Sequence, residues 1–154
     1  MTEEELIIHP GEWHLRYRHT AGEILSRFFR ELRDNQRIMG IRCPSCKRVL
    51  VTPRRFCERC FVPTTEWVQV SSEGLLQAFT IQYAPMKGLP EVPYCIAYIK
   101  LHGADTSLLH HIGGIDLSDV KQAVSAIKIR MALKAKWKER REGKITDIEY
   151  FEPI

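Results

Sequence analysis

Four cysteines, Cys43, Cys46, Cys57 and Cys60, form two Cys-x-x-Cys pairs with ten residues between them. The spacing suits a tetrathiolate metal site. Each pair aims two sulfurs at one ion from a tight turn, and two such turns side by side complete a tetrahedron with Zn–S distances of about 2.3 Å. With every position filled by protein sulfur, no place remains for water or substrate, so the motif points to structural zinc and away from zinc chemistry. Iron would use the same four sulfurs, but zinc is the usual occupant of such a ribbon and is the expected ion. Lys47, Arg48, Arg54, Arg55 and Arg59 crowd the cysteines. Four thiolates around a divalent ion leave a charge of about −2 that nearby cations would stabilise.

The remaining candidates for chemistry are few. Cys95 falls at an inward position of an apolar alternating run, where a thiol is buried and inert. His110 and His111 are neighbours in a predicted strand, point to opposite faces, and cannot share one ion or one substrate atom. No Ser/His/Asp order, phosphate-binding glycine loop or His-Glu-x-x-His helix is found, so an independent enzyme is not expected.

A basic alternation stands out instead. Ile127, Ile129, Met131, Leu133, Ala135 and Trp137 are predicted to face inward, and Lys128, Arg130, Lys134, Lys136 and Lys138 outward. The plain interpretation is a solvated outer face, since lysines also protect strands from edge pairing. Two others compete: a single-stranded nucleic-acid surface with Tyr94 and Tyr98 as stacking aromatics, or a site for a phosphorylated small molecule. Arg130, Lys134 and Lys136 are the first candidates to meet phosphates.

These residues need elements to position them. The chain has 154 residues, 44% hydrophobic and 27% charged, which permits a packed core, and its net charge of +4 allows a polyanionic partner without requiring one. Residues 1–37 are predicted to be an N-terminal segment with an amphipathic helix, 38–70 the zinc ribbon, and 71–154 a barrel domain. Thr20 and Glu23 suit a capping box opening the helix. Ala21, Ile24, Leu25, Phe28, Phe29 and Leu32 then form its apolar stripe, with Arg27, Arg30, Arg33 and Arg37 mostly outside it. That stripe either packs on its own domain or, with little ribbon core to cover, docks on another subunit through Phe28, Phe29 and Leu32. Five strands are predicted in the barrel domain, at 74–83, 94–101, 107–112, 127–138 and 145–151, with a short helical segment within 116–123. The only helical segment falls between the third and fourth strands, the order of a five-stranded OB barrel. The fold class is therefore mainly β, with an N-terminal helix, a rubredoxin-like four-cysteine ribbon and an OB-fold. From the start, with Glu3, Glu4 and Glu5 and no long apolar run, no signal peptide and a cytoplasmic protein are expected.

The runs Ile41-Arg-Cys-Pro-Ser-Cys-Lys47 and Pro53-Arg-Arg-Phe-Cys-Glu-Arg-Cys60 carry a resemblance, reinforced by the helix with Phe28, Phe29 and Leu32, by Val92-Pro93-Tyr94, and by the closing stretch from Gly143 to Pro153. Over roughly residues 16 to 154 the chain resembles the OB-fold acyl-CoA-associated family with a rubredoxin-like zinc ribbon, formerly a domain-of-unknown-function family. The resemblance implies an accessory subunit of thiolase-like enzymes. Helix and ribbon would dock on the catalytic subunit, and the barrel would help accommodate coenzyme A. It further implies acyl-CoA thiolase or aldolase chemistry on the partner chain, including the breakdown of aromatics such as toluene by way of benzylsuccinate. Lys47 and Phe61 depart from the pattern, standing where a glycine often follows the second cysteine of each knuckle. Both turns should therefore be strained or differently hydrogen-bonded.

Overall fold

The computed structural model describes residues 9–13 and 15–154; the acidic Glu3, Glu4 and Glu5 lie outside the described residues. In chain order the elements are α1 (Gly22–Asn35), β1 (Ile38–Arg42), β2 (Val49–Leu50), β3 (Glu66–Val70), β4 (Glu73–Gln82), β5 (Tyr94–Leu101), β6 (Leu108–Ile112), α2 (Val120–Ala126), β7 (Ala132–Trp137), a 3-10 turn (Ile145–Asp147) and β8 (Ile148–Pro153). No helix among the described residues is long and apolar enough to cross a membrane.

The ribbon is a three-stranded antiparallel sheet in the order β2-β1-β3. Sequence patterning missed β1, which pairs Ile41 with both Leu50 and Trp67. Gly40 lets the strands close, because a Cβ there would sit 2.6 Å from Val49 Cγ1. The second sheet closes on itself as β4-β5-β6-β8-β7, with β7 returning to β4 and a short parallel contact of β6 with β8 at Ile112 and Phe151. This is the expected OB order, with α2 between the third and fourth barrel strands.

Ribbon and barrel are joined by hydrogen bonds as well as by packing. The open edge of β2 is met by the β5–β6 turn: Val49 N–H donates to Asp105 Oδ2 at 2.8 Å and Val51 N–H to Thr106 Oγ1 at 2.7 Å. In return the Asp105 N–H and the Thr106 hydroxyl donate to the Val49 and Val51 carbonyls. A strand edge that would otherwise expose unpaired backbone is satisfied. Below it, Phe28 and Leu32 of α1, Val49 and Val51 of the ribbon, and Leu76, Ile99, Leu133 and Phe151 of the barrel form one continuous core.

Three expectations need correction. Phe28 and Leu32 are 0% exposed, so these two side chains cover the chain's own core and are not offered to a partner, while Phe29 is partly buried against the same core. Burial of each contributes roughly 1.5–3 kcal/mol, enough to hold the helix in place. The Thr20–Glu23 box does not form. The helix starts after Ala21 with no side-chain cap, and the Thr20 hydroxyl accepts instead from the Gly22 N–H at 3.1 Å. Finally, the long basic strand from Ile127 is interrupted. Arg130 has a left-handed backbone, φ +69°, in a turn that breaks the period-2 pattern, so the strand begins only at Ala132 and Ile129 is exposed.

Candidate metal centre and cationic cleft

The two knuckles are built alike. Cys43 N–H donates to the Arg48 carbonyl and Lys47 N–H returns to the Cys43 carbonyl, at 2.9 and 3.0 Å. Cys57 N–H donates to Val62 and Phe61 N–H returns to Cys57, at 3.0 and 2.9 Å. These turns bring all four Sγ atoms within 4.8 Å of one another. Cys46 and Cys57 Sγ lie 3.8 Å apart. A regular tetrahedron with metal–sulfur bonds of about 2.3 Å has edges of about 3.8 Å, so the donor set fits one zinc ion with small closure of the wider edges. Burial works against a thiolate at Cys43, but the N–H groups of Cys46 and Ser45 outweigh it and bring that thiol down to about 7. Ile41 and Leu50 pack around Cys43 and Cys57 as a small apolar cluster of their own.

The cations near the cysteines have a second role. Arg48 and Arg54 converge on Glu58, at 3.0 and 3.3 Å, tying the second knuckle to the β1–β2 loop. Its own backbone N–H, with those two arginines, holds the Glu58 carboxyl below the usual range.

Arg130, Lys134 and Lys136 are not one surface. Lys134 lies between Glu73 of β4 and Glu152 of β8 in the strand register. Lys136 Nζ donates to the Tyr150 hydroxyl at 2.7 Å and sits 4.9 Å from that ring's centroid. Arg130 instead lines a separate cleft of about 320 Å³ with Lys100, His102, Gln77, Leu75 and Gly103 among its walls. Sequence reasoning missed Lys100 and His102 as partners of Arg130. The alternation of β5 already put Lys100 outward beside Tyr98, but only the closed barrel brings the α2–β7 turn next to them.

Cys95 and His110 are both buried. Cys95 is buried and its thiol is pushed up to about 11 by that burial. His110 is 6% exposed, its Nε2 lies 3.3 Å from the Ile145 carbonyl, and its Nδ1 has no partner among the described residues. Burial first, then the charges of His111 and Lys138, lower its pKa.

A second concave region lies where the first turn of α1 meets the ribbon. One hollow of about 410 Å³ is lined by Ile24, Leu25, Pro53 and Arg54, among others. An adjoining one of about 280 Å³ shares Ile24 and Arg55 and reaches Trp67, over which Arg27 is stacked at 4.5 Å. Phe61, at the tip of the second knuckle, is 83% exposed.

Two family models match adjoining parts of the chain. Residues 30–66 match a family model described as the ChsH2 rubredoxin-like zinc ribbon domain, and residues 67–138 match one described as the ChsH2 C-terminal OB-fold domain. A DUF35 domain-containing scaffold protein of Methanocaldococcus jannaschii is 27% identical over 81 residues, covering 51% of this chain and 57% of the relative. The chain thus matches little more than half of that relative's length. Among solved structures, one described as an Ltp2-ChsH2(DUF35) aldolase superposes with a TM-score of 0.60 at 22% identity, over 88% of this chain and 98% of that one, a likeness of fold. A DUF35-family protein of unknown function from Sulfolobus solfataricus superposes with a TM-score of 0.56 at 26% identity, over 74% of this chain and 78% of its own.

Proposed function

The chain belongs to the DUF35/ChsH2 family of zinc-ribbon and OB-fold proteins, and on that premise we propose that it is a non-catalytic accessory subunit of an acyl-CoA enzyme. It docks on a thiolase-type catalytic subunit and helps accommodate coenzyme A at its barrel. The observation that carries this reading is the closed four-sulfur shell, which leaves a metal centre no open position, in a fold that buries its fifth cysteine, Cys95, and His110. Chemistry then belongs to another chain. The scaffold relative and the structure described as an Ltp2-ChsH2(DUF35) aldolase are consistent with an assembly of this type. Among thioesters, benzoylsuccinyl-CoA of anaerobic toluene breakdown is the first to test, with this chain as the small subunit of its thiolase.

With Phe28 and Leu32 covered, we place the docking surface at the paired hollows beside the first turn of α1, where Ile24 and Leu25 border Pro53, Arg54 and Arg55. Half-buried apolar side chains rimmed by arginines suit an interface between different proteins. Affinity purification of the tagged chain from its native host tests the reading. An acyl-CoA enzyme should co-purify and lose activity when the chain is removed; a preparation with no such enzyme, beside a catalytic subunit fully active alone, would sink it. Leu25→Asp should release the partner while leaving the fold intact, because Leu25 is half-buried and belongs to neither core cluster.

The half-exposed Tyr98 beside Lys100 also keeps a single-stranded nucleic-acid-binding module as the second reading. It requires micromolar binding to an oligonucleotide with a steep loss on adding salt, as counterions released from phosphates dictate.

A further inference from the structure

The geometry points to a nucleotide site on the outer face of β5, in which Lys100, His102 and Arg130 hold phosphate oxygens and Tyr98 stacks on the base. Along β5 the inward residues Cys95, Ala97, Ile99 and Leu101 are buried, which leaves Tyr98 and Lys100 outward, with His102 next in the turn that follows. Residues two apart in a strand are roughly 7 Å apart on one face, a spacing that lets one ligand touch a ring at one end and cations at the other. The shelf around Tyr98 is apolar. Its cross-strand neighbours are Ala78 and Leu109, and Tyr98 and Leu109 are each 51% exposed. Aromatic rings presented in this way on OB barrels stack bases without regard to their hydrogen-bonding edges.

The cleft beside the shelf is cationic. Its lining contributes three basic side chains and no carboxylate. Lys100 and Arg130 enter no ion pair with any described residue, whereas the knuckle arginines Arg48 and Arg54 are both paired with Glu58. Cations left uncompensated in a concave site favour an anionic ligand, and a guanidinium beside an ammonium suits phosphate oxygens in particular.

Arg130 also holds a backbone conformation that only a well-supported residue keeps, φ +69°. Its N–H donates to the Leu76 carbonyl at 2.8 Å, and the Leu76 N–H donates back to Met131 at 3.1 Å, so the turn is fixed on β4. A left-handed arginine is disfavoured where glycine would serve, and strain of this kind gathers where a side chain must be aimed. A volume of about 320 Å³ admits the phosphorylated ribose end of a nucleotide. The site itself stands on these observations; naming its ligand as the nucleotide end of coenzyme A rests on the accessory-subunit reading.

The zinc-loaded full chain is titrated with adenosine 3′,5′-bisphosphate, with inorganic pyrophosphate and with a single-stranded oligothymidylate, and followed by backbone NMR and calorimetry. The bisphosphate should shift the amides of residues 98–104 and 128–131 and bind several-fold more tightly than pyrophosphate. Arg130→Gly tests the arginine without disturbing the turn, because glycine accepts the positive φ: affinity should fall about tenfold, the effect of removing one charged donor, with thermal stability kept or raised. Tyr98→Ala should weaken the bisphosphate several-fold and leave pyrophosphate unchanged, and Lys136→Gln should alter neither. Absence of shifts at these residues at millimolar bisphosphate, or variants that bind as the wild type does, would overturn the site. An oligonucleotide that binds far more tightly than the bisphosphate would replace it with a nucleic-acid surface. If the bisphosphate binds here but no acyl-CoA enzyme co-purifies, the site stands and the accessory-subunit reading falls. If a complex does form and its coenzyme A affinity ignores Arg130→Gly, the accessory-subunit reading stands and the site falls.

Discussion

Lys47 and Phe61 occupy equivalent places in the two knuckles: each follows the second cysteine of its pair, each has a left-handed backbone, φ +63° and +53°, and each returns its N–H to the first cysteine's carbonyl. The local demand is for glycine, and two side chains stand there instead. Both are exposed, so neither gains packing that offsets the conformational cost. Lys47→Gly and Phe61→Gly should therefore each stabilise the zinc-loaded protein, by about 0.5–1 kcal/mol once the greater freedom of glycine in the unfolded chain is counted. Urea unfolding with constant zinc measures this. A loss of stability at Phe61→Gly would show that the ring is held by contacts this fold does not provide.

The metal is expected to hold the ribbon. Cys43→Ala should lower zinc from one equivalent to none, because three thiolates at the spacing seen here no longer close the shell. Zinc contributes about 10–16 kcal/mol to small finger peptides, far beyond what the cluster of Ile41, Leu50 and two cysteines could supply alone. The effect should spread. Since Val49 and Val51 are hydrogen-bonded to Asp105 and Thr106, chelation should leave the barrel folded but melting several degrees lower. A barrel melting point indifferent to chelator would contradict this coupling.

Leu32 and Phe28 should behave as core residues. Leu32→Ala is expected to cost about 2–5 kcal/mol and Phe28→Ala about 3–5 kcal/mol, as for other fully buried side chains. Loss of partner binding would then accompany loss of folding. Chemical denaturation separates the cases: full stability with lost complex formation would mean that the helix leaves this core to dock.

His110 should make stability pH-dependent. Burial lowers its pKa from the ordinary 6.5, so the folded state prefers the neutral ring while the unfolded chain protonates more readily. Its contribution is therefore present above about pH 6.5 and is lost as pH falls through the depressed value, with a slope of at most about 1.4 kcal/mol per unit. Unfolding curves at pH 7 and pH 5 for the wild type and His110→Gln, both zinc-loaded, isolate its effect, since acid weakening of the metal site is common to both. Equal pH dependence in the two proteins would refute it.

Much of this architecture is local chemistry and is written along the chain. Two Cys-x-x-Cys turns specify a metal ribbon because each knuckle is closed by bonds between residues only four or five apart, such as Lys47 to Cys43 and Cys43 to Arg48. The barrel order was legible because inward and outward residues alternate along β5 and β6, and because a single helical segment interrupts the strands after the third. His110 and His111 fall on opposite faces for the same reason.

What tertiary structure decided is which surfaces are left over. An amphipathic stripe specifies that Phe28 and Leu32 must be covered, and only the placement of α1 against Val49, Val51 and the barrel shows that this chain does the covering. Arg130, Lys134 and Lys136 look equivalent along the sequence. The positive φ at Arg130 breaks the strand and turns its side chain toward Lys100 and His102, while register sets Lys134 between two glutamates and Lys136 over Tyr150. Alternation reports which side of a strand a residue takes; closure of the barrel, a matter of contacts between residues far apart in the chain, determines what it meets there.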